Sequence, residues 1–451
     1  MGDRGALVRS AQSRLNLPGL GEEQRPPPSG DLVPWVVTAL VALTVAVGLV
    51  AGEAGYDWGA PLQPLTLFWD PLFSLWLAVA VGGVGISLLA AFRLYGLDWR
   101  FWPFAAALFV LALVSRLALN LARTGPEAWY HPNVVRPASS GRLEYLAALE
   151  ELKSGVGPFL DSFAELVPTL PLHVAGHPPG LVVLLDLVGL ETPEAMSALT
   201  IVVGALLSPL VYLLGRRLFD EQSARLAGLL SVFVPTALLY GATAADALFA
   251  TMALASACLL LARRRAAVIA GAILLAVSSF FSYALLVAGG WAGIVRWRRD
   301  GWREMVFAAL ACGAALVALY ALLAVITGFD VLASIQATHD RYFQGVASIR
   351  PYLFYFFGSP AAFLVMLGPV AWYASRSLGS REITAVALAV AILVTVLVGY
   401  TKAETERIWI FFIPMACLAA ARALPERHLR PVLVAMTLQA LVIEVLFRTM
   451  W

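Results

Sequence analysis

Apolar runs separated by short polar turns fill almost the whole chain. They occur near 32–51, 71–92, 103–121, 195–215, 223–242, 246–262, 266–281, 282–296, 304–327, 352–375, 383–399, 409–423 and 431–448. About twenty mainly apolar residues are enough for a helix to cross the hydrocarbon core of a bilayer. The pattern therefore predicts an all-α polytopic membrane protein with about thirteen transmembrane helices, or eleven to fourteen when the shorter runs are allowed for. The stretch 266–296 also reads as one long bent helix. The run 179–190 (PGLVVLLDLVGL) is shorter and contains Asp186. That length fits a segment that dips into the interface and returns better than one that crosses.

Composition agrees with this pattern. Of the 451 residues, 60% are hydrophobic and 13% charged, against roughly 25% charged in soluble domains. The net charge of +2 gives no reason to expect a nucleic-acid partner. Cys258, Cys312 and Cys417 all lie in apolar runs, so neither a disulfide framework nor a thiolate metal site is indicated. Residues 1–31 carry four arginines and a Pro26-Pro27-Pro28 run without the apolar core of a signal peptide, and read as a flexible cytoplasmic tail.

The distribution of Lys and Arg sets the orientation. With the N-terminus cytoplasmic and 179–190 not counted as a span, twenty-one of them fall in inside segments and nine in outside ones. Counting 179–190 as a span would export Arg216-Arg217, Arg263-Arg264-Arg265 and Arg296 to Arg299. The expected organisation is a tail at 1–31, three transmembrane helices over 32–121, a large extracytoplasmic loop at 122–194 and a helical bundle over 195–451. Lysine scarcity, with only Lys153 and Lys402, suggests a GC-rich bacterial genome and hence a bacterial plasma membrane.

In the large loop, 139–153 (SSGRLEYLAALEELK) and 158–167 (PFLDSFAELV) have the spacing of amphipathic helices lying on the membrane surface. The loop ends in LPLHVAGHPPG, where Pro178 biases His177 towards an extended backbone and fixes it on a stiff corner. There it can donate to an anion or shuttle a proton. His173 lies four residues before it, but Pro178 cuts short the helix a zinc pair would need. Other polar residues gather in predicted outer loops: Lys402, Glu404, Glu406 and Arg407 in TKAETERIW, His339, Asp340 and Arg341 within 330–350, and Asp246 at the start of a span.

From these residues a resemblance emerges. LEYLAALEELKSG, then HPPG, then a helix ending in LLGRRLFDEQSARLAGLL, then YGATAADALFA, resembles the order of features in polyprenyl-phosphate-dependent glycosyltransferases of the GT-C superfamily. The pattern is most similar to protein O-mannosyltransferases and to bacterial aminoarabinose and mannose transferases, and covers roughly residues 140 to 262. Glu144 and Tyr145 fall at the acidic motif of the first outer loop, and His177, Pro178 and Pro179 match its His-Pro-Pro triplet. Gly180 replaces the usual leucine, Leu143 replaces one carboxylate of the usual acidic pair, and two spans precede the family's first. Glu127 in TGPEAWYHP is a rival for the acidic role, as is Asp57 in GYDWG.

The resemblance implies a membrane glycosyltransferase that moves a sugar, with inversion, from a polyprenyl-phosphate donor to an extracytoplasmic acceptor: an envelope glycan, lipid or protein. Mannose and arabinose are the first sugars to try. Glu144 or Glu127 would be the general base, with His177 at the catalytic entrance. His173, Lys402, Arg407 and Arg341 would meet the donor phosphate, and Asp57, Tyr145, Asp246, His339, Asp340, Glu404 and Glu406 are further candidates. Some members of the superfamily use Mg or Mn held by paired carboxylates; with the obvious pair missing, no required metal or other cofactor is expected. The competing classes are a lipid-linked glycan polymerase or ligase, a secondary transporter or lipid flippase, and a structural scaffold. Polymerases and ligases put their major loop late in the chain, and transporters put ionisable groups at mid-span. Here Arg116 and Glu444 are the main charges within spans.

Overall fold

The computed structural model describes residues 32–136 and 139–449, so the tail at 1–31 lies outside the described residues. Regular structure is helical apart from one antiparallel pair of three-residue strands, Leu67–Trp69 and Phe447–Thr449, which places Phe68 opposite Arg448. Among the described residues, six helices are long and apolar enough to cross a membrane: Leu32–Glu53, Trp76–Tyr95, Phe101–Glu127, Pro193–Leu218, Trp302–Thr327 and Glu426–Leu446. A bent pair, Tyr352–Leu367 and Pro369–Gly379, makes a seventh if taken as one span, and Asp246–Leu260, Arg265–Ser279 and Ile383–Val398 are shorter apolar helices. The chain is thus a multi-pass membrane protein.

Local chemistry explains where several helices begin. Thr192 accepts from Ala195 N ahead of Pro193, Asp220 from Ser223 N, Asp330 from Leu332 N and Ala333 N, and Glu382 from Thr384 N and Ala385 N. Each meets donors that the first helical turn leaves open. Burial then sorts the helices. Ile413–Ala423 and Asp246–Leu260 are enclosed on nearly every side, as expected for helices that are apolar all round. Trp302–Thr327 sits at the periphery with Leu310, Val317, Leu322 and Val325 exposed.

Three predicted runs are interrupted. The run 352–375 breaks by 114° at Gly368, whose φ of +59° suits glycine, and Pro369 opens the second helix. The run 223–242 divides into Glu221–Phe233 and Pro235–Tyr240, because Pro235 pushes Val234 out of helical geometry. The stretch 266–296 is two helices, Arg265–Ser279 and Leu286–Asp300, joined through a tight turn at Tyr283–Leu285.

The large loop also departs from expectation. Instead of one amphipathic α-helix over 139–153, there are two 3-10 segments, Ser140–Leu143 and Tyr145–Leu152, with Glu144 extended between them. Ser139 does not cap a helix; its hydroxyl donates to Val134 O and accepts from Arg136 N. The second stretch is broken at Ser162 into Val156–Asp161 and Phe163–Leu166. Phe159 and Phe163 are buried and pack edge to face. The segment after HPPG is the nine-residue helix Gly180–Val188, too short to cross.

Contacts between loops sort the chain into two ends. At one end Thr66 N donates to Glu406, Arg350 to Gly59 O, Tyr355 to Trp58 O, and Arg123 pairs with Asp70. At the other, Arg225 donates to Leu97 O and Trp99 O, Arg422 pairs with Asp220, and Tyr95 donates to Glu426. The residues of the first group belong to or adjoin segments read from charge as outside, and those of the second to segments read as inside.

Candidate functional site

The HPPG corner is built against the turn between two helices. The short helix Leu172–Ala175 delivers His173 to the interior, and the chain then turns through Gly176 and the two prolines into Gly180–Val188. Gly180 N donates to Phe280 O at 2.9 Å, and a Cβ at this position would stand 2.3 Å from that carbonyl oxygen. Glycine at this position therefore has a steric cause, since no side chain fits there. His177 Nδ1 donates to His173 O at 2.8 Å, which leaves Nε2 as the acceptor of the neutral ring. The Tyr145 hydroxyl lies 3.4 Å from the same Nδ1, and Phe249 completes a ring cluster with Tyr145 and His177.

Glu144 stands beside this corner. The break between the 3-10 segments turns its side chain inward, where it is 7% exposed. Its Oε1 lies 3.5 Å from His173 Nε2. Burial pushes the Glu144 carboxyl up to about 8; Arg407 opposes the rise and Asp246 adds to it. Burial likewise holds His173 well below its ordinary range, with Arg407 acting in the same direction. His177 is lowered by burial too, although Asp246 and the His173 carbonyl oppose this. At neutral pH the site thus holds a protonated carboxyl against neutral imidazoles.

Two further elements bring charge to the cluster. Asp246, the first residue of Asp246–Leu260, does not cap that helix through its side chain; its Oδ2 lies 3.3 Å from Arg407 Nη1. Arg407 also meets Glu404 Oε2 at 3.3 Å. Asp246 and Arg407 both act electrostatically on Glu144, although each comes from a different element.

The loop carrying Arg407 is almost entirely buried. Lys402 Nζ donates to Ala347 O and Arg350 O, so its ammonium is committed to backbone and not presented to a phosphate. Glu406 accepts from Thr66 N at 2.6 Å, and Thr405 donates to Ser359 O. Ala403 and Glu404 both have positive φ, +62° and +58°, a conformation that costs non-glycine residues roughly 1 kcal/mol or more each. The bonds on either side hold the loop in it.

The remaining candidates lie elsewhere. Glu127 is exposed next to Tyr130 and Glu194. Asp57 is exposed and accepts from Gly59 N, which makes it a turn residue. His339 and Asp340 pair with each other at 3.0 Å on a half-exposed face of Val331–Gln344, and Arg341 is exposed. None of these is brought to Glu144. Arg350 was missed from sequence: it is 7% exposed, binds Glu404 Oε1 at 2.8 Å and donates to Lys402 O. Its only sequence signal was a position just before a span on the outer side. Among the described residues no group of three His, Cys, Asp or Glu side chains is placed to hold a metal ion. No family model matches the chain, and no curated protein matches it significantly.

Proposed function

We propose that the protein is a GT-C-like glycosyltransferase that transfers a sugar from a polyprenyl-phosphate donor to an extracytoplasmic acceptor. The observation that carries this reading is the convergence of Glu144, His173, His177, Asp246 and Arg407 from four separate segments at one end of an apolar bundle. A buried carboxyl, held beside a guanidinium and a proline-fixed histidine, has the parts the reaction needs. Deprotonated Glu144 takes the proton of the acceptor hydroxyl as that oxygen attacks the anomeric carbon. The sugar–phosphate bond breaks with its electron pair on the lipid phosphate, and Arg407 stabilises the charge that develops there. His177, with Nε2 as acceptor in the neutral ring, stands at the entrance for donor or acceptor.

In this reading the segment end holding the cluster faces the cell wall, the arginine-rich end faces the cytoplasm, and the apolar runs make about thirteen passes, beyond the six or seven long apolar spans. The shorter helices then cross where the bundle is buried in protein. One observation favours transport instead: Arg116, fully buried in Phe101–Glu127, has no hydrogen-bond partner for Nε, Nη1 or Nη2, and an ionisable group inside a span is a common mark of a transport pathway.

A sugar-transfer assay with Glu144→Gln and Glu127→Gln decides between them. Loss of transfer in the first variant alone, with donor still bound, supports the reading. Equal loss in both, or no transfer by wild type, argues against it.

A further inference from the structure

Two buried arginines at the site share one carboxylate. Glu404 Oε1 lies 2.8 Å from Arg350 Nη2, and Glu404 Oε2 lies 3.3 Å from Arg407 Nη2. The bridge is therefore bidentate across two guanidinium groups, an arrangement that phosphate oxygens also satisfy. The side chains of Arg350 and Arg407 are each 7% exposed, whereas Glu404 is 15% exposed. Of the three, the carboxylate is the most exposed.

Two features mark this bridge as a place held for something else. Arg350 Nε is buried without an acceptor, so the carboxylate leaves a donor of the clamp unmet, and a buried donor without a partner costs about 1 to 3 kcal/mol. In addition, Glu404 holds its position with Ala403 and Glu404 both in the left-handed backbone region. The chain is clamped before it by Lys402 on two carbonyls and after it by Thr405 and Glu406. Strain of this kind, held by its surroundings, recurs at switches and ligand clamps.

We propose that Glu404 is an internal counter-ion occupying the place of the donor's phosphate on Arg350 and Arg407, and that phosphate binding displaces it outward. Arg350 thereby becomes a phosphate-binding residue alongside Arg407. The proposal rests on the glycosyltransferase reading for the identity of the phosphate as a lipid phosphate, but the clamp itself requires only an oxyanion.

A stand-in and a structural brace predict opposite effects. If Glu404 competes with phosphate, Glu404→Gln binds phosphate more tightly, on the order of tenfold given the coupling energies measured for close charge pairs. Arg350→Gln binds it more weakly. If Glu404 merely braces the arginines, Glu404→Gln weakens binding or leaves it unchanged. The experiment is titration calorimetry of the full-length protein in detergent with farnesyl phosphate and, separately, with inorganic phosphate, after thermal unfolding has shown each variant to be folded. Should Glu404→Gln fail to fold, Glu404→Asp, too short to bridge both arginines, is expected to shift affinity in the same direction.

Tighter binding of both probes supports the clamp and its lipid ligand. Tighter binding of inorganic phosphate with no binding of farnesyl phosphate keeps the clamp and overturns the lipid-donor reading. Wild-type binding of farnesyl phosphate that the variant does not improve overturns the clamp and leaves the reading standing. No binding of either probe by any form overturns both.

Discussion

Replacing Glu144 by Gln should change how stability depends on pH. A carboxyl raised from 4.5 to about 8 has its neutral form favoured over its charged form by roughly 5 kcal/mol, at 1.36 kcal/mol per pKa unit. Between those values the folded protein keeps a proton that the unfolded chain releases. The contribution of Glu144 to stability is therefore highest below pH 4.5, falls as pH rises towards 8, and levels off above it. His173 and His177 act in the opposite direction. Their folded forms resist protonation, so they cost stability only as pH falls below about 6.5. Between pH 6.5 and 8 Glu144 thus acts without opposition from the histidines, and its share of the change is roughly 2 kcal/mol. Glutamine keeps the shape and removes the ionisation. Thermal unfolding in one detergent at pH 6.5, 7.2 and 8.0 should show wild type losing stability relative to Glu144→Gln as pH rises. Parallel curves for the two proteins would refute both the burial argument and the protonated state assigned to the site.

Further outcomes follow from the same geometry. Gly180→Leu should destabilise the fold by about 1 to 3 kcal/mol because its Cβ meets Phe280 O at 2.3 Å; an unchanged melting temperature would show that the corner can yield. Asp246→Asn should cost roughly 2 kcal/mol or more by removing one counter-charge of buried Arg407, again read by thermal unfolding, and a neutral result would mean that the remaining partners of the guanidinium, Glu404 among them, satisfy it. If deprotonated Glu144 is the base, kcat/KM for sugar transfer should rise by about one logarithmic unit per pH unit up to about pH 8 and then flatten. A profile flat from pH 6 to 9 would exclude Glu144 from that role.

Much of the helical architecture was legible because it rests on apolar runs. The breaks at Gly368 and Pro235 were visible as residues, but an apolar run averages across a single interruption. The 3-10 course of 139–153 could not be read from leucine spacing, because its cause is tertiary: Glu144 turns inward to meet His173 while Tyr145 packs on His177 and Phe249. The site was legible in part. Glu144, His173 and His177 were recognisable from motif order, and Asp246 and Arg407 from their positions at span ends. Their pairing, the commitment of Lys402 to backbone carbonyls and the bridging role of Arg350 depend on contacts between segments far apart in the chain. Glu127 and Asp57, which read as candidates from their places near a membrane exit, are both exposed, and Asp57 accepts a turn bond from Gly59 N.

The central claim is tested most directly by incubating purified wild type and Glu144→Gln with radiolabelled polyprenyl-phosphate mannose or arabinose and an envelope acceptor fraction, and measuring both labelled acceptor and released polyprenyl phosphate. The account predicts that wild type forms the two products in equal amounts and that Glu144→Gln forms neither while still binding donor. An intact donor with wild type, or undiminished transfer by Glu144→Gln, would contradict it.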